Sequence, residues 1–341
     1  MRLVTRRATA LTALLAAVGV CAPAPAAEVA RPARAIRVQA NQFVDSAGKP
    51  IVFRGVAVSD PDKLEKAGHW NKRIFEEIKA WGANIVRVPV HPVAWRARGP
   101  KAYLALLDQG VGWAGETGLY VMVDWHVIGN LRTELMQAPM YDTTRKETFE
   151  FWRQVARHYR DDPVVVLYEL FNEPTTYSGT LGRLDWAQWK PILEEIVAIV
   201  RANDPSSIVV VAGLDWAYEL RDVLASPVDA PAVAYASHPY PQKRDEPWEP
   251  KWEADWGHVV EKHPVFVSEL GYDRNGSVPF VGTSHYGRTI VGYMAKRGMS
   301  WAAWCFDVDW GPTLIQDWSF TPTEQGRLWR GAMLGQPLPA E

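Results

Sequence analysis

The sequence predicts a single α/β domain, a (β/α)8 TIM barrel preceded by a short N-terminal β-hairpin. Short apolar runs rich in β-branched residues occur eight times, amphipathic helical patterns separate them, and no linker interrupts the alternation. The runs begin between positions 51 and 301 and therefore recur about every 36 residues, which suits one strand and one crossover helix. Eight successive units of this kind favour a closed parallel barrel.

The predicted strands cover residues 51–58, 84–89, 120–125, 164–171, 208–212, 232–237, 265–268 and 301–306. Between them, residues 73–78 and 189–200 repeat apolar side chains at the 3.6-residue period of an amphipathic helix. An open, doubly wound sheet is the alternative, but no GxGxxG fingerprint follows the first strand. Residues 36–49 predict a small hairpin that closes the bottom of the barrel.

The first 26 residues predict a cleaved secretory signal peptide. Arginines at positions 2, 6 and 7 precede an apolar stretch over residues 8–22, and Ala-Pro-Ala at 24–26 fits a cleavage site. A retained membrane anchor is the alternative, but the stretch is short and alanine-rich. Residues 27–50 then form the N-terminal segment with its hairpin, and residues 51–341 form the catalytic barrel. We therefore expect a secreted or periplasmic protein without membrane contact after cleavage.

Composition limits the classes of partner. The 341 residues are 48% apolar and 22% charged, carry a formal net charge of −2 and include no basic tract, so nucleic acid is not expected as a partner. Tryptophan is frequent, with 17 residues against 12 tyrosines and 10 phenylalanines. Its flat ring can fill a core or stack on a sugar. Composition alone does not distinguish these two uses.

Two glutamates lie at predicted strand ends on the rim where such barrels carry their chemistry. Glu173 follows the fourth strand and Glu269 follows the seventh, three strand–helix units later. Paired carboxylates across a cleft suit glycoside hydrolysis, in which one protonates the leaving oxygen and the other attacks the anomeric carbon. Each glutamate could instead cap a helix or pair with an arginine, but the equivalent positions of the two favour catalysis.

Six further polar or aromatic side chains lie at predicted strand ends: Arg87, His126, Asn172, His238, Tyr240 and Trp304. With the two glutamates they match the eight-residue pattern of glycoside hydrolase family 5, the large cellulase family of clan A, in type, order and strand. The resemblance covers the chain from about Ile51 to Trp329. It implies a retaining double displacement without a cofactor or metal, with Glu173 as general acid/base and Glu269 as nucleophile.

The resemblance also implies supporting roles around the two carboxylates, which need opposite protonation states. Arg87 and Tyr240 would hold Glu269 ionised through charge and a hydrogen bond. His238 would adjust the protonation of Glu173.

The remaining members of the pattern would contact the sugar. Asn172 would bond the 2-hydroxyl group, a contact that strengthens in the transition state. Trp304 would form the floor under the reacting sugar, and His126 would lie beside the site as a positioning group. The family often has a cis peptide after this tryptophan, which predicts a cis Trp304–Cys305 bond.

Four other residues near predicted strand ends have less specific interpretations. Glu169 lies on the same face of the fourth strand as Glu173 and is predicted to be a buried structural carboxylate in the lower barrel. Asp307 and Asp309 follow the eighth strand, where such aspartates more often form turns than bind calcium or substrate. Cys305 remains as the single cysteine after signal cleavage, and we expect it to pack in the core without an internal disulfide.

Tryptophans that follow predicted strands suggest a surface for stacking on sugars. They are Trp70, Trp95, Trp125, Trp216, Trp248, Trp252, Trp256, Trp304, Trp310 and Trp318, although Trp252 and Trp256 could instead begin a helix. Trp216, Trp248 and Trp310 are the candidates for additional sugar subsites. The long segment 241–256 is predicted to be a loop near the cleft.

The sequence therefore predicts a monomeric, secreted β-glycoside hydrolase that binds an oligo- or polysaccharide and cleaves a β-linked glucan internally. A β-mannanase or an exo-acting β-glucosidase on the same barrel is the alternative within this class. A carbohydrate-binding protein without catalysis is a different class, but it has no need of two opposed glutamates. A metal-dependent hydrolase would need a histidine cluster, which the first strand does not supply.

Overall fold

The computed structural model describes residues 36–338, which lie within the compact unit Arg31–Glu341. The predicted signal peptide falls outside the described residues. The barrel strands are β1 (Arg54–Val58), β2 (Ile85–Val90), β3 (Tyr120–Trp125), β4 (Val165–Glu169), β5 (Ile208–Ala212), β6 (Val233–Ala236), β7 (Val265–Leu270) and β8 (Ser300–Phe306). Each strand pairs in parallel with the next, and β8 pairs with β1, which confirms the predicted (β/α)8 barrel.

Within residues 36–338 the α-helices are α1 (Pro61–Lys66), α2 (Lys72–Ala80), α3 (Pro92–Arg98), α4 (Pro100–Thr117), α5 (Arg145–His158), α6 (Trp186–Asn203), α7 (Leu214–Ala217), α8 (Trp248–Asp255), α9 (Ser284–Arg297) and α10 (Glu324–Leu334). Three 3-10 turns cover Pro139–Tyr141, Pro241–Lys243 and Gly257–Glu261. Both helices predicted from periodicity are present as α2 and α6. None of these described helices combines the length and apolar character that a membrane crossing requires.

Side-chain hydrogen bonds and glycines mark several helix boundaries. The α6 helix begins with a capping box, in which Asp185 accepts from the Gln188 backbone N–H and the Gln188 side chain bonds back to the Asp185 backbone. The α4 helix ends at Gly118, whose φ of 72° lies in the left-handed region that glycine tolerates best.

A small three-stranded antiparallel sheet closes the bottom of the barrel, as predicted. Its strands are Arg37–Gln39, Gln42–Val44 and Pro50–Ile51. The Phe43 ring packs 5.3 Å from the Phe53 ring, beneath the barrel interior. The predicted first strand is too long at its start, because residues 50–51 pair with the hairpin and the barrel strand begins only at Arg54.

Seven of the ten tryptophans that follow predicted strands pack in or against the core, so the prediction that these ten form a surface for sugar stacking is wrong for most of them. Trp125 ends β3 with its ring stacked 4.0 Å from that of Phe151 in α5. Its neighbour Asp124 faces the barrel interior, since successive side chains of a strand alternate between faces. Trp252 and Trp256 are buried around α8, and both contact Tyr293 of α9.

Candidate active site

A cleft of about 800 Å³ opens at the carboxyl ends of the barrel strands. Six of the eight residues in the predicted pattern line it: His126, Asn172, Glu173, Tyr240, Glu269 and Trp304. Arg87 and His238 are completely buried behind the lining, where each contacts one of the two glutamates. The structure therefore brings all eight residues together.

The two glutamates face each other across the cleft. Glu173 begins a short strand, Glu173–Pro174, that pairs with Ile128–Asn130, while Glu269 lies within β7. A carboxylate oxygen of each lies within 4.8 Å of the other and of a His238 ring nitrogen. These three side chains are also of the types that bind metal ions.

Two donors hold the carboxylate of Glu269 in place. Tyr240 donates its hydroxyl to Oε1 at 2.6 Å, and Arg87 donates from Nη1 to Oε2 at 3.2 Å. Burial raises the pKa of Glu269, while the charges of His238 and Arg87 and the Tyr240 hydrogen bond oppose that rise. The predicted contacts of Arg87 and Tyr240 with Glu269 are therefore present and favour the ionised carboxylate. Burial opposes this ionisation, which the sequence did not reveal.

Arg87 also organises the other polar groups beneath the cleft. It donates from Nε to Glu169 at 2.6 Å and from Nη2 to the Asn172 Oδ1 at 2.6 Å, and Nη2 lies 3.0 Å from Asp124. Burial alone would lower the pKa of Arg87, but these carboxylates and Glu269 raise it, so the guanidinium stays charged. The amide nitrogen of Asn172 is buried and has no hydrogen-bond partner within residues 36–338.

A chain of buried hydrogen bonds connects the two glutamates from below. His238 contacts Glu173 Oε1 through Nδ1 at 2.9 Å and Ser268 Oγ through Nε2 at 3.0 Å. Ser268 donates its hydroxyl to Glu169, which also accepts from Arg87. Glu169 is buried as predicted, yet it belongs to the site rather than only to the lower barrel.

This chain determines which His238 nitrogen carries hydrogen. Because the Ser268 hydroxyl is donated to Glu169, its oxygen can only accept from His238 Nε2, which must therefore be protonated. A proton between Nδ1 and Glu173 can then lie on either group. Ser268 and Glu169 were not assigned to the site from the sequence, although both occupy strand ends next to predicted residues.

His126 and Trp304 form the cleft wall and floor on the β8–β3 side. Their rings are parallel within 1° at a centroid distance of 5.3 Å. His126 contacts Asp124 through Nδ1 at 2.6 Å, and burial together with nearby cationic groups lowers the pKa of His126 well below its usual range. The imidazole is therefore neutral. The Trp304–Cys305 peptide is cis, as predicted, and Cys305 is buried.

Two of the three tryptophans predicted as additional subsites line the cleft. Trp310 follows β8 with its ring within 14° of the Trp304 plane at 6.4 Å. Trp216 lies on the opposite side, after β5, in a left-handed turn with φ of 56°. Its indole N–H donates to Gln137 at 2.7 Å, and Lys243 Nζ lies 4.6 Å from its ring centre.

Trp248 is not among the residues that line the cleft. The segment predicted as a loop forms α8, and Trp248 stacks at 5.9 Å on Trp252, one helical turn further along. Its indole N–H donates to the Arg244 carbonyl. The predicted subsite at Trp248 is therefore not supported, because helix formation directs this ring towards its own helix.

The two aspartates after β8 have different surroundings. Asp307 is buried and pairs with Lys63, and its Oδ1 accepts from the Asp309 backbone at 2.7 Å, which is a turn-forming contact. Asp309 lies at the exposed edge of the cleft and also contacts Lys63, at 3.3 Å. The ion pair with the partly exposed Lys63 balances the charge of the buried Asp307.

Comparison with known proteins adds independent information. The sequence model described as Cellulase (glycosyl hydrolase family 5) matches residues 44–309. Endoglucanase E-5 of Thermobifida fusca is 27% identical over 286 residues, which are 80% of this chain and 56% of that protein. Endoglucanase A of Evansella cellulosilytica is 27% identical over 66% of this chain and 42% of its own length. The chain thus spans about half the length of these relatives.

Solved structures provide a closer match. The β-glucanase SdGluc5_26A of Saccharophagus degradans superposes with a TM-score of 0.87 at 44% sequence identity, covering 88% of this chain and 93% of that one. That protein has also been solved in complex with cellotetraose.

Proposed function

The chain belongs to glycosyl hydrolase family 5, and from this premise we propose that it is an endo-acting, retaining hydrolase of a β-linked glucan. The observation that carries the proposal is the approach of the Glu173 and Glu269 carboxylate oxygens to within 4.8 Å. Retaining glycosidases hold their two carboxyl groups about 5–5.5 Å apart, whereas inverting enzymes need roughly 6.5–9.5 Å to admit a water molecule. Relatives named as endoglucanases and a neighbour that binds cellotetraose support glucan as substrate.

In the first step Glu269 attacks the anomeric carbon of the sugar above Trp304. The carboxylate is held by Tyr240 and Arg87, so the attacking oxygen is positioned before substrate arrives. Glu173 donates a proton to the glycosidic oxygen as the bond breaks. The free amide nitrogen of Asn172 donates to the 2-hydroxyl, where a hydrogen bond strengthens in the transition state.

In the second step Glu173 acts as a base on water, which attacks the glycosyl–Glu269 ester from the face that the leaving group has vacated. Glu173 must therefore lose and regain one proton in each cycle. The His238 Nδ1 contact at 2.9 Å supports this exchange, because the imidazole can stabilise the Glu173 anion after the first step.

The barrel order supports a proposal for which half of the cleft holds each part of the glucan. Strands β5 and β6 lie between the two glutamates on one side, and β8, β1, β2 and β3 lie on the other. Since Trp304 lies within β8 and carries the reacting sugar, the non-reducing part of the glucan lies on the β8–β3 side. The leaving group then lies towards Trp216 and Lys243. Tryptophans on both sides, at 216 and 310, support internal cleavage of a chain.

We expect the first product to keep the β configuration at its anomeric carbon. Double displacement inverts that carbon twice, so proton NMR of a cellotetraose digest should show the β-anomer before mutarotation produces the α-anomer. Initial formation of the α-anomer would refute the double displacement while leaving glycosidase activity intact.

Replacing Glu169 by Gln is expected to move the alkaline limb of the kcat/KM profile to lower pH by about one unit or more. Burial lowers the pKa of His238, but Glu269, Glu169 and Glu173 together raise it to about 9. Removing the Glu169 charge therefore lowers this pKa, and the His238–Glu173 pair loses its shared proton at lower pH.

The measurement is the pH dependence of cellotetraose hydrolysis by the Glu169→Gln enzyme. Glu76→Gln, an exposed substitution on α2, is the matched control and should leave the profile unchanged. If Glu169→Gln reduces activity equally at every pH, the residue has only a structural role.

We further propose that residues 1–26 direct export and are removed, and that the mature enzyme is a secreted or periplasmic monomer. The N-terminal pattern of arginines, apolar residues and small residues supports export. The mass of the exported protein and its sedimentation in solution test both statements.

A further inference from the structure

We propose that His91 is an additional substrate-binding residue, whose Nε2 accepts a hydrogen bond from a hydroxyl of the sugar next to the reacting sugar on its non-reducing side. The inference rests on the proposed function, because the proposed function places a glucan along the cleft. His91 directly follows β2, lines the cleft and is only 2% exposed. Its Nε2 has no hydrogen-bond partner within residues 36–338.

Asp60 determines the tautomer of His91. Its Oδ2 accepts from the His91 backbone N–H at 2.8 Å and lies 3.2 Å from Nδ1, while its Oδ1 accepts from the Asp62 backbone at 2.7 Å. An ionised carboxylate can only accept, so Nδ1 carries the hydrogen. In the neutral imidazole, Nε2 is then an acceptor with an unused lone pair. Burying an acceptor without a hydrogen-bond partner costs free energy. Binding of a sugar whose hydroxyl donates to Nε2 is therefore favoured.

Neighbouring rings place this acceptor at a sugar-binding position. The His91 ring centre lies 5.0 Å from that of Trp310, 4.6 Å from that of His126 and 5.7 Å from that of Tyr141. Trp310 continues the stacking surface of Trp304 at nearly the same tilt. The sugar bound next to the reacting sugar, on its non-reducing side, would therefore lie over Trp310 with His91 beside it.

A second aspartate–histidine pair lies alongside the first. His126 contacts Asp124 through Nδ1 in the way that His91 contacts Asp60. Both histidines thus direct their second nitrogen away from a carboxylate, within one wall of the cleft. The reacting sugar lies nearest His126, which is parallel to Trp304, whereas His91 lies nearer Trp310 and the following sugar.

The test compares two aryl glycosides that differ by one sugar. We expect His91→Phe to lower kcat/KM for 2,4-dinitrophenyl β-cellobioside by about tenfold, the effect of one lost hydrogen bond. The same variant should change kcat/KM for 2,4-dinitrophenyl β-glucoside by less than twofold, because this substrate does not reach His91. His91→Gln, whose amide oxygen can replace Nε2 as acceptor, should recover part of the loss. His285→Phe, on a half-exposed histidine outside the cleft lining, is the matched control.

Equal losses on the two glycosides, or no loss on either, would overturn the proposal. If the wild-type enzyme hydrolyses neither glycoside, the proposed function fails instead, and calorimetry with cellotetraose then decides whether His91→Phe weakens binding. If His91→Phe does not fold, 15N NMR of Glu269→Gln enzyme is used. The Nε2 resonance of His91 should move on addition of cellotetraose, and an unchanged resonance would refute the contact.

Discussion

Replacing Glu269 by Gln is expected to lower the rate of glucan hydrolysis by several orders of magnitude, on the order of 10⁴-fold or more. The amide is a poor nucleophile, so the covalent intermediate does not form. The substitution keeps the shape of the side chain and leaves an oxygen that can accept from Tyr240. Binding of cellotetraose should therefore persist, and kcat rather than KM should carry the loss.

The measurement is steady-state hydrolysis of a soluble β-glucan, with calorimetry to confirm that cellotetraose still binds. Glu261→Gln, an exposed substitution before β7, provides the matched control. Normal turnover by the Glu269→Gln enzyme would refute its assignment as the nucleophile. Loss of cellotetraose binding together with activity would indicate that the residue acts through binding or folding.

Replacing Glu173 by Ala should reduce hydrolysis of unactivated glucans by about 10²–10⁴-fold, the usual contribution of general acid catalysis. Substrates with good leaving groups need no proton, so 2,4-dinitrophenyl cellobioside should still form the glycosyl–Glu269 ester rapidly. The second step then limits turnover, because no base activates water. A burst of dinitrophenol followed by slow release is the expected signature.

Azide provides the decisive control for this variant. The anion is a nucleophile without help from a base, so added azide should accelerate turnover of the Glu173→Ala enzyme and yield a β-glycosyl azide. The wild-type enzyme should respond little. If the variant loses equal activity on glucan and on the dinitrophenyl substrate, and azide has no effect, Glu173 is not the acid/base.

Glu269 and Glu173 are each held by a buried side chain beneath the cleft, Arg87 and His238 respectively. Arg87 bonds to Glu269, Glu169 and Asn172 at once, so the charge that holds the proposed nucleophile also orients the amide that we propose contacts the sugar. The cost of burying this guanidinium is offset only because several carboxylates surround it. We therefore expect substitutions of Arg87 to affect folding as well as catalysis.

Strand periodicity was sufficient to predict the barrel and its rim. Eight β-branched runs of similar spacing allow few other topologies, and the carboxyl end of a parallel strand must lie on a common rim. Glu173 and Glu269 could be identified because they follow two such runs, and family 5 residue types accompany them. These features are local in the chain, so the sequence alone determined the fold class, the two carboxylates and their six companions.

The tertiary structure alone decided which other side chains meet at the site. Ser268 and Glu169 join His238 only because β4 and β7 face each other inside the barrel, across distances that spacing does not encode. Trp125 is the last residue of β3 and Trp216 follows β5, yet Trp125 is fully buried and Trp216 lines the cleft. A position at a strand end specifies the height of a residue along the barrel axis. The turn of the backbone and packing against the helices specify the direction in which its side chain points. The sequence therefore determined the place of the chemistry, and only the folded chain determined the hydrogen bonds and aromatic surfaces that support it.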